Sequence, residues 1–373
     1  MNDLVQLLPQ IGSKMKTVLE RTDSIIPYTT ENGRFLDRFE GQPSWWTNGF
    51  WPGLLLDLYT LTKEQIFLDR AQQTIEKLDQ VLFDTELSHH DVGFMWHLSA
   101  GKHYLLTQDQ QSRNRVLTAA KLLASRFNID GNFLVAWNGT ERQGWSIIDT
   151  LMNLPLLWYA SEETGYDRYA KIALAHGNKA LEHFLRPDGS VEHIVVFNSD
   201  TGEKIDTLGG QGFGKDSSWS RGQAWALYGF AELYRFSKNI RFLDGAKRVA
   251  HYFLASVAGT DYFPLLDFRA PERPVLYDST AGAIAASGLI GLSTLVPQFE
   301  QSLYLNGAMK ILEALRNKAF EPSLDADYLL SHGSEAYGSD THKGRHHISI
   351  IYGDYYFLEA LMRLRAVSDL SGL

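Results

Sequence analysis

Two kinds of helical segment alternate along the chain. One kind is apolar on nearly every side, which is typical of a buried helix, and the other carries a single apolar stripe, which is typical of a half-exposed helix. The apolar segments are Trp45–Leu61, His90–Leu106, Ile147–Ala160, Ser220–Tyr234, Asp278–Val296 and Gly353–Leu364. Amphipathic segments follow the first five of them, at Lys63–Leu82, Ser112–Phe127, Tyr166–Leu185, Ile240–Leu254 and Gln298–Leu315. This recurrence predicts a helical repeat with inserted loops.

The last apolar segment has no amphipathic segment after it, but the chain begins with one, Asp3–Ile26. Pairing the two ends of the chain gives six buried and six half-exposed helices. We therefore expect an all-α fold, an (α/α)6 barrel of six inner and six outer helices, formed by residues 1–373 as a single domain. Helix pairs stacked in an open solenoid would give a similar pattern, and the pairing of the chain ends favours the closed ring.

Strand signals are few. Gly189–Phe197 alternates and is rich in β-branched residues, as a strand requires. A turn at Asn198–Gly202 follows, so we expect a hairpin with Lys204–Thr207 at the rim of the barrel. Thr29–Pro43 is polar and turn-rich.

Composition narrows the class of protein. A formal net charge of −9 argues against nucleic-acid binding, and the absence of Cys excludes disulfides, thiol catalysis and cysteine zinc sites. No segment is apolar enough to span a membrane and no signal peptide is evident, so we expect a cytoplasmic protein without a membrane partner. The nine Trp residues fit a cleft for a sugar, although Trp is also a common core residue.

Each inner helix has a polar residue in its first turn. In a barrel of antiparallel helix pairs all inner helices run the same way, so their first turns meet at one mouth. The polar residues are Asn48, Asp91, Asp149, Arg221, Asp278 and Asp354. We therefore expect the functional site at this mouth.

Asp149 stands near the head of the apolar run Ile147–Ala160. An acidic residue there complements the helix dipole, so Asp149 is either a helix cap or a catalytic acid. If Asp149 and Asp91 face each other over the apolar floor of the barrel, their repulsion should keep one of them protonated near neutral pH. Such a pair suits acid/base chemistry at a glycosidic centre. The residues alone leave both interpretations open.

Two features of the fourth repeat need separate interpretation. Arg221 begins an apolar helix and needs a partner, which is either a substrate carboxylate or an internal salt bridge to Asp149 or Asp278. Gly209–Ser217 approaches the spacing of a phosphate-binding loop. Asp216 replaces the required hydroxyl residue there and no buried strand precedes the loop, so we reject that motif.

Histidine pairs occur at His89-His90 and His346-His347. Neither pair has the spacing of a known metal motif, so we expect no metal and no cofactor. The loop Ser339–His347 is locally basic, and it either reaches over the mouth to an anionic substrate or is a solvated loop.

Five stretches match, in order, the motifs of a known family. They are HHDVGF (His89–Phe94), IIDTLMNLPLL (Ile147–Leu157), QGFGKDSSWSRGQAWALYGFA (Gln211–Ala231), DSTAGAIAASGL (Asp278–Leu289) and YGDYYFLEALMRL (Tyr352–Leu364). Together they resemble the unsaturated glucuronyl hydrolases, glycoside hydrolase family 88, from about Trp45 to Leu364. The resemblance implies an (α/α)6 barrel that needs no metal. It also implies an enzyme that removes a 4,5-unsaturated uronic acid from the non-reducing end of lyase-generated, glycosaminoglycan-type oligosaccharides.

The resemblance further implies roles for individual residues. The Asp matching Asp149 is the general acid/base of the family, and the Asp matching Asp91 assists it. Asp149 would protonate C4 of the double bond and then deprotonate the water that attacks C5, after which the hydrated sugar opens and releases the rest of the chain. The family's substrate-binding positions match Trp46, Trp137, His193, Gln211, Trp219, Arg221 and Trp225.

The C-terminal loop departs from the family pattern. Members that prefer sulfated substrates carry a Ser-rich motif ending in Lys, and Ser339 and Lys343 do not clearly fit that spacing. The resemblance therefore leaves the preference for sulfated or unsulfated substrates open.

Three other functions are weighed against this one. An unsaturated rhamnogalacturonyl hydrolase acting on pectin fragments would use the same barrel and chemistry. A non-catalytic saccharide-binding barrel would bind the oligosaccharide unchanged, and the presence of both Asp91 and Asp149 argues against it. A sugar epimerase on a similar barrel would use a His as acid/base, and no His begins an inner helix in place of Asp149.

Overall fold

The computed structural model describes residues 1–22, 25–84, 86–338 and 344–371. Helices of these residues form the barrel, with the even-numbered helices inside and the odd-numbered ones outside. In chain order they are α1 (Leu7–Arg21), α2 (Phe50–Thr62), α3 (Gln65–Lys77), α4 (Val92–Trp96, continuing through the π-helical turn His97–Gly101 into Lys102–Thr107), α5 (Gln110–Ser125), α6 (Leu154–Thr164), α7 (Arg168–His183), α8 (Ser220–Ser237), α9 (Ile240–Ala258), α10 (Ser279–Ser293), α11 (Gln298–Lys318) and α12 (Ile351–Ser371). Shorter helical pieces are Asn2–Val5, Trp46–Gly49, Asp79–Leu82, Thr140–Arg142 and Ile148–Met152.

The ring of inner helices is closed by the two ends of the chain. Helix α12 packs against both α10 and α2, and α1 packs on α12 and α2 from outside. The buried face of α1 includes Leu8, Ile11, Met15 and Val18, whose burial contributes about 1.5–3 kcal/mol each. The (α/α)6 barrel is therefore confirmed, and the open solenoid is excluded.

The inner helices are buried on nearly all sides, as their composition requires. Every residue of α10 is buried, and its small side chains let the neighbouring helices approach closely. An added Cβ at Gly288 would lie 3.0 Å from the Cβ of Tyr228 on α8. The small residues of α10 therefore decide how near α8 lies. Apolar as the inner helices are, none of the described helices is long and apolar enough to cross a membrane.

Short strands occur in the loops between the helices. They are β1 (Pro27–Glu31), β2 (Arg34–Asp37), β3 (Phe127–Asn128), β4 (Phe133–Leu134), β5 (Trp145–Ile147), β6 (Ile194–Phe197) and β7 (Lys204–Leu208). The predicted hairpin is confirmed as β6 and β7, which pair antiparallel. Strand β5, which the sequence did not predict and whose last residue, Ile147, was placed at the start of a helical segment, pairs with the other edge of β6. The hairpin of β1 and β2 lies at the start of the stretch that the sequence marked only as turn-rich.

The third inner helix begins later than the apolar run predicts. Residues Ile148–Met152 form a 3-10 turn between β5 and α6, and the amide of Ile148 donates a hydrogen bond of 3.0 Å to the carbonyl of His193. The N-cap residue of α6 is Asn153. Asp149 therefore lies in a turn ahead of α6 and does not cap it, so the structure does not support the interpretation of Asp149 as a helix cap.

Candidate active site

A cavity of about 790 Å³ opens at the end of the barrel where the inner helices begin. Its walls come from the first turns of α4, α8 and α12, from the turns before α2 and α6, and from the loops between the helices. It is lined by Tyr28, Arg38, Trp45, Trp46, His89, His90, Asp91, Trp137, Ile147, Asp149, Gln211, Arg221, Glu335, Ala336, Arg345 and Tyr352. The mouth predicted from the common direction of the inner helices is therefore a real cavity.

Asp91 is buried beside two histidines at the start of α4. Its Oδ2 lies 3.3 Å from His89 Nδ1 and 3.2 Å from His90 Nε2, and its Oδ1 accepts a hydrogen bond of 3.4 Å from Asn153 Nδ2. Burial acts to raise the pKa of this carboxyl, but His90 and the hydrogen bonds from His89 and Asn153 outweigh burial and lower the pKa. Asp91 is therefore an ionised group at neutral pH.

His90 links Asp91 to the turn that carries Asp149. Burial lowers the pKa of His90 to about 4, so the ring is neutral at pH 7. Its Nδ1 lies 3.2 Å from the hydroxyl of Thr150. The neutral ring therefore donates from Nε2 to Asp91 and accepts at Nδ1 from Thr150, the residue after Asp149.

Asp149 turns a free carboxyl oxygen towards His193. Its side-chain Oδ1 is buried and has no hydrogen-bond partner among the described residues, and His193 Nε2 lies 3.6 Å away. Asn153 Nδ2 donates a hydrogen bond of 3.3 Å to the backbone carbonyl of Asp149 while it also contacts Asp91. The structure thus brings the two predicted carboxyl groups to one cavity, and the Asn153 amide contacts the carboxylate of Asp91 and the backbone of Asp149. Because buried polar atoms normally find partners, the unpaired oxygen of Asp149 is suited to bond a ligand.

His193 connects Asp149 with the glycine-rich loop. Its Nδ1 lies 3.0 Å from the carbonyl oxygen of Gly209 and 3.0 Å from the amide nitrogen of Gln211. When Nδ1 carries the proton it donates to Gly209, and a neutral ring then presents Nε2 as an acceptor to Asp149. When Nδ1 is unprotonated it accepts from Gln211, and Nε2 becomes a donor. The loop therefore accommodates either tautomer of His193. Its backbone holds this histidine, which is a different role from that of a phosphate-binding loop.

Arg221 forms an internal salt bridge. Its Nη1 lies 2.6 Å from Asp278 Oδ2 and also donates to the carbonyl of Ser334 at 2.6 Å, while Nη2 donates to the carbonyl of Glu335 at 2.6 Å. The guanidinium lies 4.5 Å from the ring centre of Trp219. Of the partners considered for Arg221 within the protein, Asp278 is the correct one. The side chain lines the cavity, but its two terminal nitrogens are bonded within the wall.

Three of the six polar residues at the inner-helix starts do not line the cavity. Asn48 donates to two carbonyls of the preceding turn at 3.1 and 3.0 Å, Asp278 holds Arg221, and Asp354 Oδ1 accepts from the amide of Leu330 at 2.8 Å. These side chains attach loops to helix ends, because buried backbone groups need partners. The expectation that all six polar groups share one site is wrong for these three.

The predicted tryptophans divide into two pairs. Trp46 and Trp137 line the cavity. Trp219 is buried with its ring centre 4.2 Å from that of His193, and Trp225 is fully buried with its ring centre 5.2 Å from that of Phe94. Neither Trp219 nor Trp225 is among the lining residues, so in this structure they support the walls of the site.

Several lining residues were missed by the sequence analysis. They include Tyr28, Arg38, Glu335, Arg345 and Tyr352. The first four lie on loops and on the β1 hairpin, where no periodicity marks them. Tyr352 could have been found, because it lies in the first turn of α12 as the rule for inner helices requires.

Within the described part of the chain, His89, His90 and Asp91 bring three potential metal-ligand atoms within 4.8 Å of one another. The two histidines already contact the carboxylate. The expectation of no metal and no cofactor stays a prediction.

The basic loop Ser339–His347 is described only from residue 344 onward. Arg345 pairs with the carboxylate of Glu335 at 2.6 Å, and His346 Nε2 lies 2.9 Å from the carbonyl oxygen of Ala336. This part of the loop is therefore attached to the cavity wall. Ser339 and Lys343 lie outside the described residues.

The chain is similar over most of its length to proteins of one family. The model of Glycosyl Hydrolase Family 88 matches residues 18–257. The unsaturated glucuronyl hydrolase of Bacillus sp. (strain GL1) is 36% identical over 339 residues, which cover 86% of each protein. The unsaturated chondroitin disaccharide hydrolase of Streptococcus pyogenes serotype M1 is 35% identical over 331 residues, which cover 85% of this chain and 80% of that protein.

The fold is likewise similar to a solved structure. The crystal structure of the unsaturated glucuronyl hydrolase from Bacillus sp. GL1, described as responsible for the degradation of glycosaminoglycan, has a TM-score of 0.89 to this chain. The two share 32% sequence identity, and the match covers 96% of each chain.

Proposed function

The chain belongs to glycoside hydrolase family 88, and we propose that it is an unsaturated glucuronyl hydrolase. It removes a 4,5-unsaturated uronic acid from the non-reducing end of glycosaminoglycan-type oligosaccharides that polysaccharide lyases have generated. The two relatives, an unsaturated glucuronyl hydrolase and an unsaturated chondroitin disaccharide hydrolase, support this substrate class. The observation that carries the proposal is the free carboxyl oxygen of Asp149, which lies 3.6 Å from His193 Nε2 in the cavity that Asp91 also lines.

Asp149 acts first as an acid and then as a base. The substrate is a vinyl ether, in which C4 is nucleophilic. The protonated carboxyl of Asp149 delivers its proton to C4, and an oxocarbenium-like centre develops at C5. Water attacks C5, and the carboxylate of Asp149 takes the proton that this water loses. The product is a hemiketal, whose opening expels the remaining sugar chain. The reaction is a hydration, so the carboxylate separations that distinguish ordinary glycosidases do not apply.

Asp91 supplies a fixed negative charge to the same cavity. Its lowered pKa keeps it ionised, and His89, His90 and Asn153 hold its orientation. A preorganised negative charge stabilises positive charge that develops in the transition state. We therefore assign Asp91 to stabilisation of the oxocarbenium-like centre, with Asp149 alone moving protons.

The remaining walls bind the sugar. Trp46 and Trp137 line the cavity, where aromatic rings suit the apolar faces of sugar rings. His193 Nε2 lies 3.6 Å from Asp149, and Gln211 lines the cavity, so we assign these two residues to the uronate or the attacking water. Arg221 lines the wall where the uronate binds, but Asp278 balances its charge and both of its terminal nitrogens are bonded inside the wall, so we assign it to shaping that wall.

The test is turnover of an unsaturated disaccharide, followed by the loss of the ultraviolet absorbance of its conjugated double bond. We expect Asp149→Asn to lower kcat by at least about 10²-fold, because it removes the only group that transfers protons. The matched control is Asp261→Asn, which changes a carboxyl that is 93% exposed and should leave kcat unchanged. Undiminished turnover by the Asp149 variant would exclude the mechanism.

A side-by-side assay separates the alternatives. Faster turnover of an unsaturated rhamnogalacturonyl disaccharide than of the glucuronyl one would favour action on pectin fragments. Binding of both disaccharides without any loss of the double bond would indicate a non-catalytic saccharide-binding barrel. The cytoplasmic location stays a prediction from the sequence.

A further inference from the structure

His89, His90 and Asp91 form a cluster in the cavity wall, which we call the His-His-Asp cluster. Asp91 Oδ2 lies 3.3 Å from His89 Nδ1 and 3.2 Å from His90 Nε2, and the potential ligand atoms of the cluster lie within 4.8 Å of one another. In a tetrahedral zinc site the bonds to histidine nitrogen and carboxylate oxygen are about 2.0–2.1 Å long, so neighbouring ligand atoms lie about 3.3 Å apart. The separations between Asp91 and the two histidines therefore already match those of a zinc site.

The ring nitrogens that face away from Asp91 have oxygen partners as well. His89 Nε2 lies 3.3 Å from the carbonyl oxygen of Ser44, and His90 Nδ1 lies 3.2 Å from the hydroxyl of Thr150. Metal-binding histidines almost always donate their other ring N–H to an oxygen acceptor, which fixes the tautomer and the orientation of the ring. In that tautomer both inner nitrogens are acceptors, and they face the Asp91 carboxylate. Three acceptors that converge in this way favour a cation between them.

The His-His-Asp cluster is open to ions from the cavity, because all three of its residues line it. The side chain of His89 is 23% exposed and that of His90 is 2% exposed, so His89 is the ring that can adjust to an ion. The chain has no Cys, so no thiolate competes for a zinc ion. Within the described ranges, no other group of three His, Asp or Glu side chains brings its ligand atoms this close together.

We propose that the His-His-Asp cluster binds Zn²⁺ and that the bound ion inhibits the enzyme. Two imidazoles and a carboxylate are ligands that Zn²⁺ accepts, and solvent from the cavity fills the fourth position. One carboxylate and two neutral rings carry a single negative charge, and a divalent ion reverses its sign. A positive charge there opposes the oxocarbenium-like centre that Asp91 otherwise stabilises. The ion is therefore an inhibitor and not a cofactor. Its binding is independent of the proposed function, whereas the inhibition rests on that function.

Zinc binding is measured on the untagged protein without substrate, by calorimetric titration with ZnCl₂ and with Co²⁺ as a coloured substitute. We expect one Zn²⁺ per chain and a visible Co²⁺ absorption band that Zn²⁺ abolishes. His89→Gln should raise the dissociation constant for Zn²⁺ by at least about tenfold, because one of three ligands is lost. Asp91→Asn should have the same effect. Circular dichroism shows whether each variant is folded.

The matched control is His183→Gln. His183 Nε2 also lies beside a carboxylate, 3.7 Å from Glu182 Oε1, but this pair belongs to no group of three ligand residues in the described part of the chain. The variant should bind Zn²⁺ as tightly as the wild type. A wild type that takes up no Zn²⁺ in the titration would overturn the proposal, and so would an unchanged affinity in both His89→Gln and Asp91→Asn.

Turnover of an unsaturated disaccharide tests the effect of the bound ion. Zn²⁺ that saturates the titrated site should abolish turnover by the wild type, and EDTA should restore it. Mg²⁺ prefers oxygen ligands and should have no effect. His89→Gln should need at least about tenfold more Zn²⁺ for the same fractional loss of its remaining activity. Zinc that fills the site without lowering turnover would overturn the inhibition. If the wild type turns over no disaccharide without zinc, the proposed function fails, and the titration still decides whether the cluster binds zinc.

Discussion

Replacing Asp278 by Asn removes the charge that balances Arg221 and keeps the shape of the side chain. Asp278 and Arg221 are 0% and 1% exposed, so water cannot replace the lost partner. Asp278 Oδ1 also accepts hydrogen bonds from the amides of Thr280 at 3.1 Å and Ser334 at 3.2 Å. The Asn side chain retains a carbonyl oxygen for these amides. The main consequence of Asp278→Asn is therefore a buried guanidinium without a counter-charge.

The size of the effect follows from that geometry. Removing one partner of a buried ion pair costs about 3–5 kcal/mol, because the other charge stays buried and uncompensated. Arg221 keeps the carbonyl oxygens of Ser334 and Glu335, each at 2.6 Å, as acceptors. We therefore expect the free energy of unfolding to fall by about 3 kcal/mol, the lower end of that range. The kcat/KM should fall as well, because Arg221 forms part of the cavity wall.

Urea unfolding measures the change in stability. The control is Lys171→Gln, which breaks a pair with Asp167 whose two side chains are 72% and 77% exposed. Solvent screens that pair, so its loss should change the free energy of unfolding by less than about 0.5 kcal/mol. A loss below about 1 kcal/mol for Asp278→Asn, within the range of exposed pairs, would refute the assignment of this salt bridge as a strong structural contact.

Two further changes test the packing and the electrostatics of the barrel. Gly49→Ala should lower the melting temperature strongly, because the added Cβ would lie 2.4 Å from backbone atoms of Met95. The control is Gly41→Ala, whose added Cβ would have no atom within 4 Å and should have little effect. Similar losses in melting temperature for the two variants would contradict this account. Burial raises the pKa of Asp354 to about 7, despite its hydrogen bond from the Leu330 amide. In the unfolded chain Asp354 ionises at a lower pH than in the folded protein. As pH rises from about 4 to about 7, this difference therefore lowers the free energy of unfolding. Asp354→Asn should gain on the order of a few kcal/mol relative to the wild type over that range in urea unfolding, and a constant difference would disprove the shift.

The helices could be predicted where burial alone decides the sequence pattern. The six inner segments and their outer partners all appear as helices, and the closing pair of chain ends was found because no other segment could complete the ring. Strand β5 was missed, because it is only three residues long and its last residue, Ile147, also begins an apolar helical segment. Its conformation depends on pairing with the edge of β6. Ile147 of β5 pairs with Ile194 of β6, which lies 47 positions later in the chain.

The carboxyl groups of the candidate site could be located because they lie at the starts of inner helices. Their environments could not be predicted. Asn153 contacts both Asp91 and the backbone of Asp149, and its own sequence context marks it only as a polar residue before a helix. The packing of the loops decides which helix-start residues face the cavity and which ones hold a loop. The sequence pattern is the same for these two groups of residues.

The sequence by itself determined the two layers of the barrel, the common direction of its inner helices and the end at which the site lies. These properties follow from hydrophobic periodicity, which records whether each side of a helix meets water. Only the tertiary structure decided the partners: Tyr28 with Glu335, 307 positions apart, Arg221 with Asp278, and His90 with Thr150. The sequence shows that a residue is charged or aromatic but not which residue it contacts. These contacts form only when loops that are distant in the chain pack together at the mouth of the barrel.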